Sequence, residues 1–288
     1  MQYFRTSMKL FKRRTRNGDD QEMSFIEHLD VLRGHLFKSA LAVAVGAIIM
    51  AVYNKFIVTR ILMGPTHPDF WTYRTLCEVG HKWGFGDKLC MAEIHLRMQS
   101  NAVAGQFDTY FNIILIGGFI IAFPYVFWQF WKFTRPALKE KELQNTRGVI
   151  FWVSMLFFLG VLFGYFIIAP YTISFFANFS LDTNIENIWT ISSYFTTISQ
   201  LILGAGLAFQ LPLVMYFLAK IGVVSAAYLR RVRKYAILII VIVASIITPP
   251  DMLSTIVASF PLIILYEISI LLCVKVEKKQ AKEEAQWD

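Results

Sequence analysis

The sequence predicts an all-α polytopic membrane protein with six transmembrane helices and both termini in the cytoplasm. Three observations carry that expectation. Of its 288 residues, 56% are hydrophobic and only 17% charged, and the mean hydropathy is +0.50; a soluble domain carries roughly 45–50% apolar and about 25% charged residues. The apolar residues gather into stretches long enough to cross a bilayer, which takes about 20 residues at a rise of about 1.5 Å each. The cations fall between those stretches in alternation. Such a composition excludes a disordered chain and a nucleic-acid-binding domain. The net charge of +8 therefore matters for which side of the membrane holds it.

The elements follow in chain order. Residues 1–23 read as a basic cytoplasmic tail. Within it, Lys12-Arg13-Arg14-Thr15-Arg16 is followed by Asn17-Gly18-Asp19-Asp20 and not by an apolar run, so it reads as positive charge and not as a targeting signal. Residues 24–276 form the membrane domain. Ser24-Phe25-Ile26-Glu27 matches a capping box, and Phe25, Leu29, Leu32 and Leu36 make one apolar stripe at helical spacing. Glu27 and Asp30, three apart, share another face. This predicts a short amphipathic helix along the cytoplasmic interface. From spacing alone an interfacial anchor is the plainer reading, and a docking surface for a cationic partner is the other.

The first span covers about 37–58. An insert of about 59–107 follows, then a second span at about 108–131 that ends in Phe127, Trp128, Phe130 and Trp131. The third, about 149–177, is unusually long and carries Gly160 and Gly164, a small-residue pair of the kind that packs helices. The fourth, about 196–220, holds Gln210 two residues before Pro212. Its amide is expected to satisfy backbone groups freed by the proline, and to meet a polar group of a partner helix on assembly. One long apolar stretch then breaks at Thr248-Pro249-Pro250-Asp251, because two prolines cannot continue a helix. It becomes a hairpin of two short spans, about 235–248 and 254–274, and the first of them must thin the bilayer or be shielded by neighbours. Glu267 lies in the second half of the last span. A charge at the bilayer centre costs about 2.5–3.5 kcal/mol on insertion scales, so its default reading is functional. Residues 277–288 form a second cytoplasmic tail.

Charge sets the orientation. Segments 1–38, 132–148, 220–234 and 275–288 hold 22 of the 28 lysines and arginines, whereas loops 178–195 and 248–253 hold none. The even-numbered gaps are basic, so both termini are cytoplasmic and the insert is exported. The insert carries Cys77 and Cys90. A disulfide is the first reading, since an exported compartment permits oxidation and the intervening loop closes easily. A metal site built from Cys77, His81, Cys90 and His95 is the alternative, although the spacing matches no common zinc pattern, and free thiols are a third. Cys273, in an apolar helix, reads as a small lipid-facing or packing residue.

Absences also decide. The five histidines, at 28, 35, 67, 81 and 95, fall outside the spans, which argues against haem held between helices. There is no P-loop, no HExxH and no paired nucleophile and base, so the chain does not read as an enzyme. In the loop after the second span, Glu142 is an acid among cations; taken alone it reads as part of a solvated, salt-bridging face.

Four motifs in order resemble the TatC family, the multi-spanning subunit of the twin-arginine (Sec-independent) protein translocase. They are His28-Leu29-x-x-Leu32-Arg33 before the first span, Phe133-x-x-Pro136-Ala137-Leu138-x-x-x-Glu142 after the second, Phe209-Gln210-Leu211-Pro212 in the fourth, and Thr248-Pro249-Pro250-Asp251 at the last hairpin. The resemblance covers about Phe25 to Val276 apart from an insert at about 66–105, and the insert is longer than the family's first exported loop. It implies a receptor in the bacterial inner membrane that binds signal peptides with consecutive arginines and helps export folded proteins on the proton-motive force, without a cofactor. Glu142 matches the loop glutamate that binds the arginine pair. Phe133 and Pro124 match neighbouring positions, Gln210 the polar site of the fourth helix, and Asp251 the acid after the double proline. The family's pre-span pattern carries a glutamate where this chain has Val31. Asp30, one place earlier, is the expected weaker second acid, with Glu27 and Arg33 beside it. Implied partners are the single-span TatA/TatB-type subunits, membrane lipid and further copies of the chain. The rival reading is a small-solute secondary transporter using Gln210 and Glu267 near the midplane, against which the absence of an internal repeat counts.

A topology reporter fused within residues 178–195 is expected to give an exported signal; a cytoplasmic signal there would overturn the six-span arrangement.

Overall fold

The structure is a computed structural model that describes residues 25–82, 84, 90, 97–134, 146–180, 182, 187–248 and 252–284. The described chain is mostly helical. Helix α1 (Phe25–Val52) leads through a single turn, α2 (Asn54–Phe56), into a π-helical turn at Ile57–Leu62 and a 3-10 turn at Gly64–Thr66. Helix α3 (Trp71–Lys82) and strand β1 (Arg97–Gln99) complete the insert, and α4 (Gly105–Thr134) follows. Helices α5 (Thr146–Phe163) and α6 (Ala169–Asn178) are joined without interruption by a π-helical stretch at Gly164–Ile168. After β2 (Ile188–Thr190) come α7 (Ile191–Ala208), α8 (Leu211–Lys220), α9 (Ala226–Arg231), α10 (Arg233–Ile247) and α11 (Met252–Glu284).

Among the described residues, five segments have the length and composition to cross a membrane: Leu29–Val52, Gly105–Thr134, Gly148–Asn178, Ile191–Lys220 and Ser254–Lys279. Helix α10 has 15 residues, about 22 Å of rise against roughly 30 Å of hydrocarbon. Three expectations change. The amphipathic segment and the first span are one continuous helix, because no proline separates Leu36 from Phe37 and the joining residues favour a helix. The fourth span is interrupted at Phe209–Gln210, where Pro212 sits in the first turn of α8. Only the first member of the last hairpin is short: α11 runs for 33 residues, carried past the apolar stretch by Lys and Glu, which favour a helix. The structure also adds a parallel strand pair that the helical pattern did not predict, in the register Arg97↔Ile188, Met98↔Trp189 and Gln99↔Thr190.

Backbones approach closely at glycines. A Cβ placed on Gly46 of α1 would lie 2.5 Å from the Gly118 carbonyl oxygen of α4, and one on Gly118 would lie 2.5 Å from the Ala47 nitrogen. On the other side of the bundle, Gly160 faces Gly206, with its added Cβ 2.9 Å from the Gly206 Cα. Small residues at such crossings let helices gain dispersion energy that lipid would otherwise supply. Helix α7 lies at the centre and buries Tyr194, Phe195, Ile198, Leu201, Ile202 and Ala205. A second cluster joins Phe123 of α4 to Val153 and Phe157 of α5. Helix α1, by contrast, leaves Leu36, Phe37, Leu41, Val45 and Ile48 exposed, the apolar surface that hydrocarbon would cover.

At the end of the bundle that carries the insert, tyrosines hold the irregular backbone. Tyr165 donates to the Ile61 carbonyl (2.7 Å) and Tyr194 to the Leu62 carbonyl (2.8 Å). Tyr73 donates to Pro65 (2.7 Å), and Thr72 donates to the Phe166 carbonyl. Each hydroxyl occupies a carbonyl that a regular helix would have used internally. Burial pushes the Tyr73 phenol well above its usual range.

Replacing Gly118 by Val is expected to lower the melting temperature in detergent by the equivalent of at least about 1–3 kcal/mol. Gly148→Ala, where an added Cβ meets nothing within 4 Å, should stay within about 0.5 kcal/mol of the parent. Equal melting of the two variants would contradict the α1–α4 crossing.

Candidate functional site

The Gly46–Gly118 crossing makes α1 and α4 antiparallel neighbours, so the start of α1 stands beside the end of α4. There His35 Nδ1 and Gln129 Oε1 are 2.7 Å apart, with the Gln129 side chain buried and His35 half-buried. One turn beyond Gln129 lies the half-buried Phe133, and Lys132 folds its ammonium over the Trp128 ring, 3.8 Å from the centroid. Trp131 is buried against Phe217 of α8. Pro124 sits inside α4, two turns before Trp131. Asp30 and Arg33 are both exposed.

Helix register sorts the residues at the start of α1. At about 100° per residue, Val31 and His35, one turn apart, lie about 40° from each other. Asp30 lies about 140° around the helix from His35, so it belongs to a different face from the one that meets Gln129. The side chain of Glu27 and the whole of Glu142, Pro136 and Arg135 lie outside the described residues; so do Pro249, Pro250 and Asp251.

Gln210 occupies the break between α7 and α8. Its main chain is already satisfied locally, with its N–H donating to Leu207 O (3.0 Å) and its carbonyl accepting from Leu213 N (3.0 Å). The side-chain amide therefore does not turn back on its own backbone. Nε2 reaches α5 and donates to the Val153 carbonyl at 3.4 Å. Its Oε1 is buried without a hydrogen-bond partner, as is the hydroxyl of neighbouring Ser154.

Glu267 is not an isolated charge. It pairs with Arg233 at 2.9 Å, both side chains being half-exposed. The reason is geometric: Arg233 lies 14 residues before Ile247 and Glu267 lies 15 after Met252, so both sit about 21–22 Å from the hairpin turn on antiparallel helices. The pair joins a framework of contacts at this end, in which Tyr266 donates to Leu229 O (2.8 Å) and Ala226 N–H donates to Glu277 (2.7 Å). Cys273 is fully buried, with its sulfur 3.7 Å from the Met215 carbonyl. Gln210 and Glu267 are not brought together by any contact among the described residues.

At the opposite end, the Cys77 and Cys90 sulfurs form a disulfide. A cavity of about 510 Å³ opens between α6, β2 and α7, lined by Thr172, Phe176, Asn187, Trp189 and Tyr194 among others. Beside the last hairpin, Thr172 donates to Ser254 (3.1 Å), and Thr248 lies 3.3 Å from the Thr255 hydroxyl. Sequence reasoning missed the His35–Gln129 link and this hydroxyl cluster. Gln129 could have been found as an amide near the end of an apolar helix; the hydroxyls carry no such signal, because a hydroxyl can as well bond its own helix, as Thr248 does to Ala244 O.

The model of the Sec-independent protein translocase protein (TatC) family matches residues 27–261. The chain belongs to the TatC family. Among TatC relatives, that of a Blattabacterium of Periplaneta americana is 42% identical over 91% of this chain and 99% of its own length. That of Desulforapulum autotrophicum is 35% identical over 92% and 90%, and TatCy of Bacillus subtilis is 30% identical over 92% and 94%. Two crystal structures of a twin-arginine translocase receptor TatC superimpose with TM-scores of 0.66 and 0.67. They are 29% and 30% identical and cover 87% and 85% of this chain, and 100% and 99% of their own. As a TatC-family member, the chain is a multi-pass membrane protein of the Tat protein translocation system. Of the TatC motif residues, Arg33 and Phe133 stand at the end where α1 starts and α4 finishes, and Gln210 stands apart, against α5.

Gln129→Leu removes the amide that holds His35 and is expected to cost about 1–3 kcal/mol, the penalty for a buried polar group left unpaired. A thermal melt in detergent measures it. A variant that melts with the parent would show the pair to be dispensable.

Proposed function

We propose that this chain is the signal receptor of its Tat system and binds signal peptides bearing consecutive arginines where α1 begins and α4 ends. The observation that carries the reading is the His35–Gln129 link. It supports a face on which the start of α1 adjoins the end of α4, and the chain continues from that end into the segment containing Glu142. Glu142 precedes Thr146, the first residue of α5, by four positions, at most about 14 Å of extended chain. Two adjacent guanidiniums are permanently charged planar forks that fit carboxylates bidentately. The surrounding Lys139, Lys141 and Arg147 disfavour stray cations, so only a closely pairing partner gains net energy.

In this reading Glu142 is the principal acid. Asp30 is the weaker second acid, with Glu27 three places before it on the same helix. Phe133 and Pro124 shape the floor, and Arg33 lies at its edge. The charge asymmetry of the loops supports six spans with both termini cytoplasmic, α10 being the short one, in a bacterial inner membrane. Single-span TatA/TatB-type subunits dock beside Gln210, whose unpartnered Oε1 offers a hydrogen-bond acceptor to a neighbouring helix. Further copies of the chain join in the receptor complex. The proton-motive force drives transport, and the subunit performs no covalent chemistry. The transporter alternative is disfavoured because Arg233 already neutralises Glu267 and Gln210 lies elsewhere.

Glu142→Gln keeps the shape and removes the charge. One charge-assisted hydrogen bond contributes about 1.5–3 kcal/mol, so crosslinking of a twin-arginine peptide to this variant is expected to fall at least about tenfold. Asp30→Asn should fall only modestly. Normal crosslinking and export in Glu142→Gln would refute the carboxylate receptor.

A further inference from the structure

The far end of α3 carries a cluster for which the receptor reading has no use. Cys77 and His81 stand at i and i+4 on α3, a spacing that puts two ligands on one helix face. Cys90 is brought to the same point by its bond to Cys77. The Nε2 of His81 lies 3.8 Å from the Cys77 sulfur and 3.7 Å from the Cys90 sulfur. All three donor atoms fall within 4.8 Å of one another. The cysteines are half-buried and the histidine is exposed, so solutes reach the cluster from outside.

These separations have a chemical meaning. In a tetrahedral site with zinc–sulfur bonds of about 2.3 Å and zinc–nitrogen bonds of about 2.0–2.1 Å, neighbouring sulfur and nitrogen ligands stand about 3.6 Å apart and two sulfurs about 3.8 Å apart. The imidazole nitrogen already holds close to that separation from both sulfurs. Only the sulfur–sulfur edge differs, because there the two atoms are bonded. A disulfide that served only as a staple would need no imidazole nitrogen equidistant from its two sulfurs.

We propose that Cys77, His81 and Cys90 form a redox-gated cation site: closed as a disulfide when oxidised, and a three-ligand site for a thiophilic cation of the zinc class when reduced. An external dithiol gives up two electrons and two protons and becomes a disulfide. The Cys77–Cys90 bond breaks, and each sulfur gains one electron and one proton. A divalent cation then displaces both thiol protons to water and binds two thiolates and the neutral Nε2, which leaves a fourth position for water. Either state closes the same loop between residues 77 and 90, so the insert keeps one staple or the other through a redox change. His81 belongs to the rigid helix and fixes where the cation sits. The affinity rests on the thiolates, because soft sulfur ligands favour such cations.

The test uses the full chain purified in detergent, with and without reduction by a non-coordinating phosphine, titrated with cobalt(II) and then zinc. The reduced chain is expected to take up one cobalt with thiolate charge-transfer absorption and tetrahedral d–d bands, and to release it to zinc. Its affinity should exceed that of the oxidised chain at least tenfold. His81→Ala leaves both cysteines in place, and thiol labelling verifies that they still pair. Its affinity after reduction should fall at least tenfold. Cys77→Ser combined with Cys90→Ser should lose the charge-transfer absorption. Reduced parent chain binding no better than the double serine variant, or reduced His81→Ala binding as tightly as the parent, would overturn the proposal.

Discussion

In hydrocarbon a helix gains nothing by hiding its leucines, because lipid is as apolar as they are. What holds this bundle together is how near its backbones come to one another. At Gly46 and Gly118 the main chains of α1 and α4 are so close that neither position has room for a methyl group. The same holds where Gly160 meets Gly206. The rest follows from these two contacts. The first sets α1 antiparallel against α4, which brings His35 to Gln129 and gathers the start of one helix and the end of the other at a single face. The second seats α5 on α7, so that Phe157 and Val153 pack beneath Gln210 and the amide of Gln210 finds the Val153 carbonyl.

Polar atoms inside the bundle divide into those the fold satisfies and those it does not. Tyr73, Tyr165 and Tyr194 hold carbonyls at the irregular turns after α1, and Thr172 with Ser254 ties α6 to α11 near the hairpin. By contrast, Asn54 Oδ1, Asn112 Oδ1, Trp131 Nε1, Ser154 Oγ and Gln210 Oε1 are buried and unpartnered. An intramembrane polar group is costly unless another helix answers it. The satisfied groups mark the scaffold. One of the unsatisfied ones, Gln210 Oε1, stands at the position that the family motif singles out.

Much of this was legible beforehand, and the failures have physical causes. Periodicity and length placed the long helices, since a run of about 20 apolar residues has few alternatives in a bilayer. The double proline located the hairpin, because proline removes a donor wherever it stands. Helix ends were harder to place. The boundary expected between an interfacial helix and the first span does not exist, as a change in the environment of a helix leaves no mark on its backbone. The length of α11 was underestimated because hydropathy ends at Val276 while helix propensity continues to Glu284. The partner of Glu267 was hidden for a related reason: the pairing depends on where Arg233 falls across the hairpin, which a linear reading does not measure. The β1–β2 pair joins residues some ninety apart and involves three residues on each strand, too few to leave a period. At the candidate site, residue types were legible and faces were not, since a shift of one position between Asp30 and Val31 turns a side chain by about 100°.

Helix α11 has a mechanical consequence. Thirty-three residues make a rod of about 50 Å, some 20 Å longer than the hydrocarbon it crosses. One end is lashed to α6 through the Ser254 hydroxyl, and the other to the first turn of α9 through Glu277. Between the two ties stands Pro261, which removes one backbone donor and lets a helix bend. The basic loop that carries α9 is thereby coupled to the hairpin on the far side only as far as α11 stays straight across that residue.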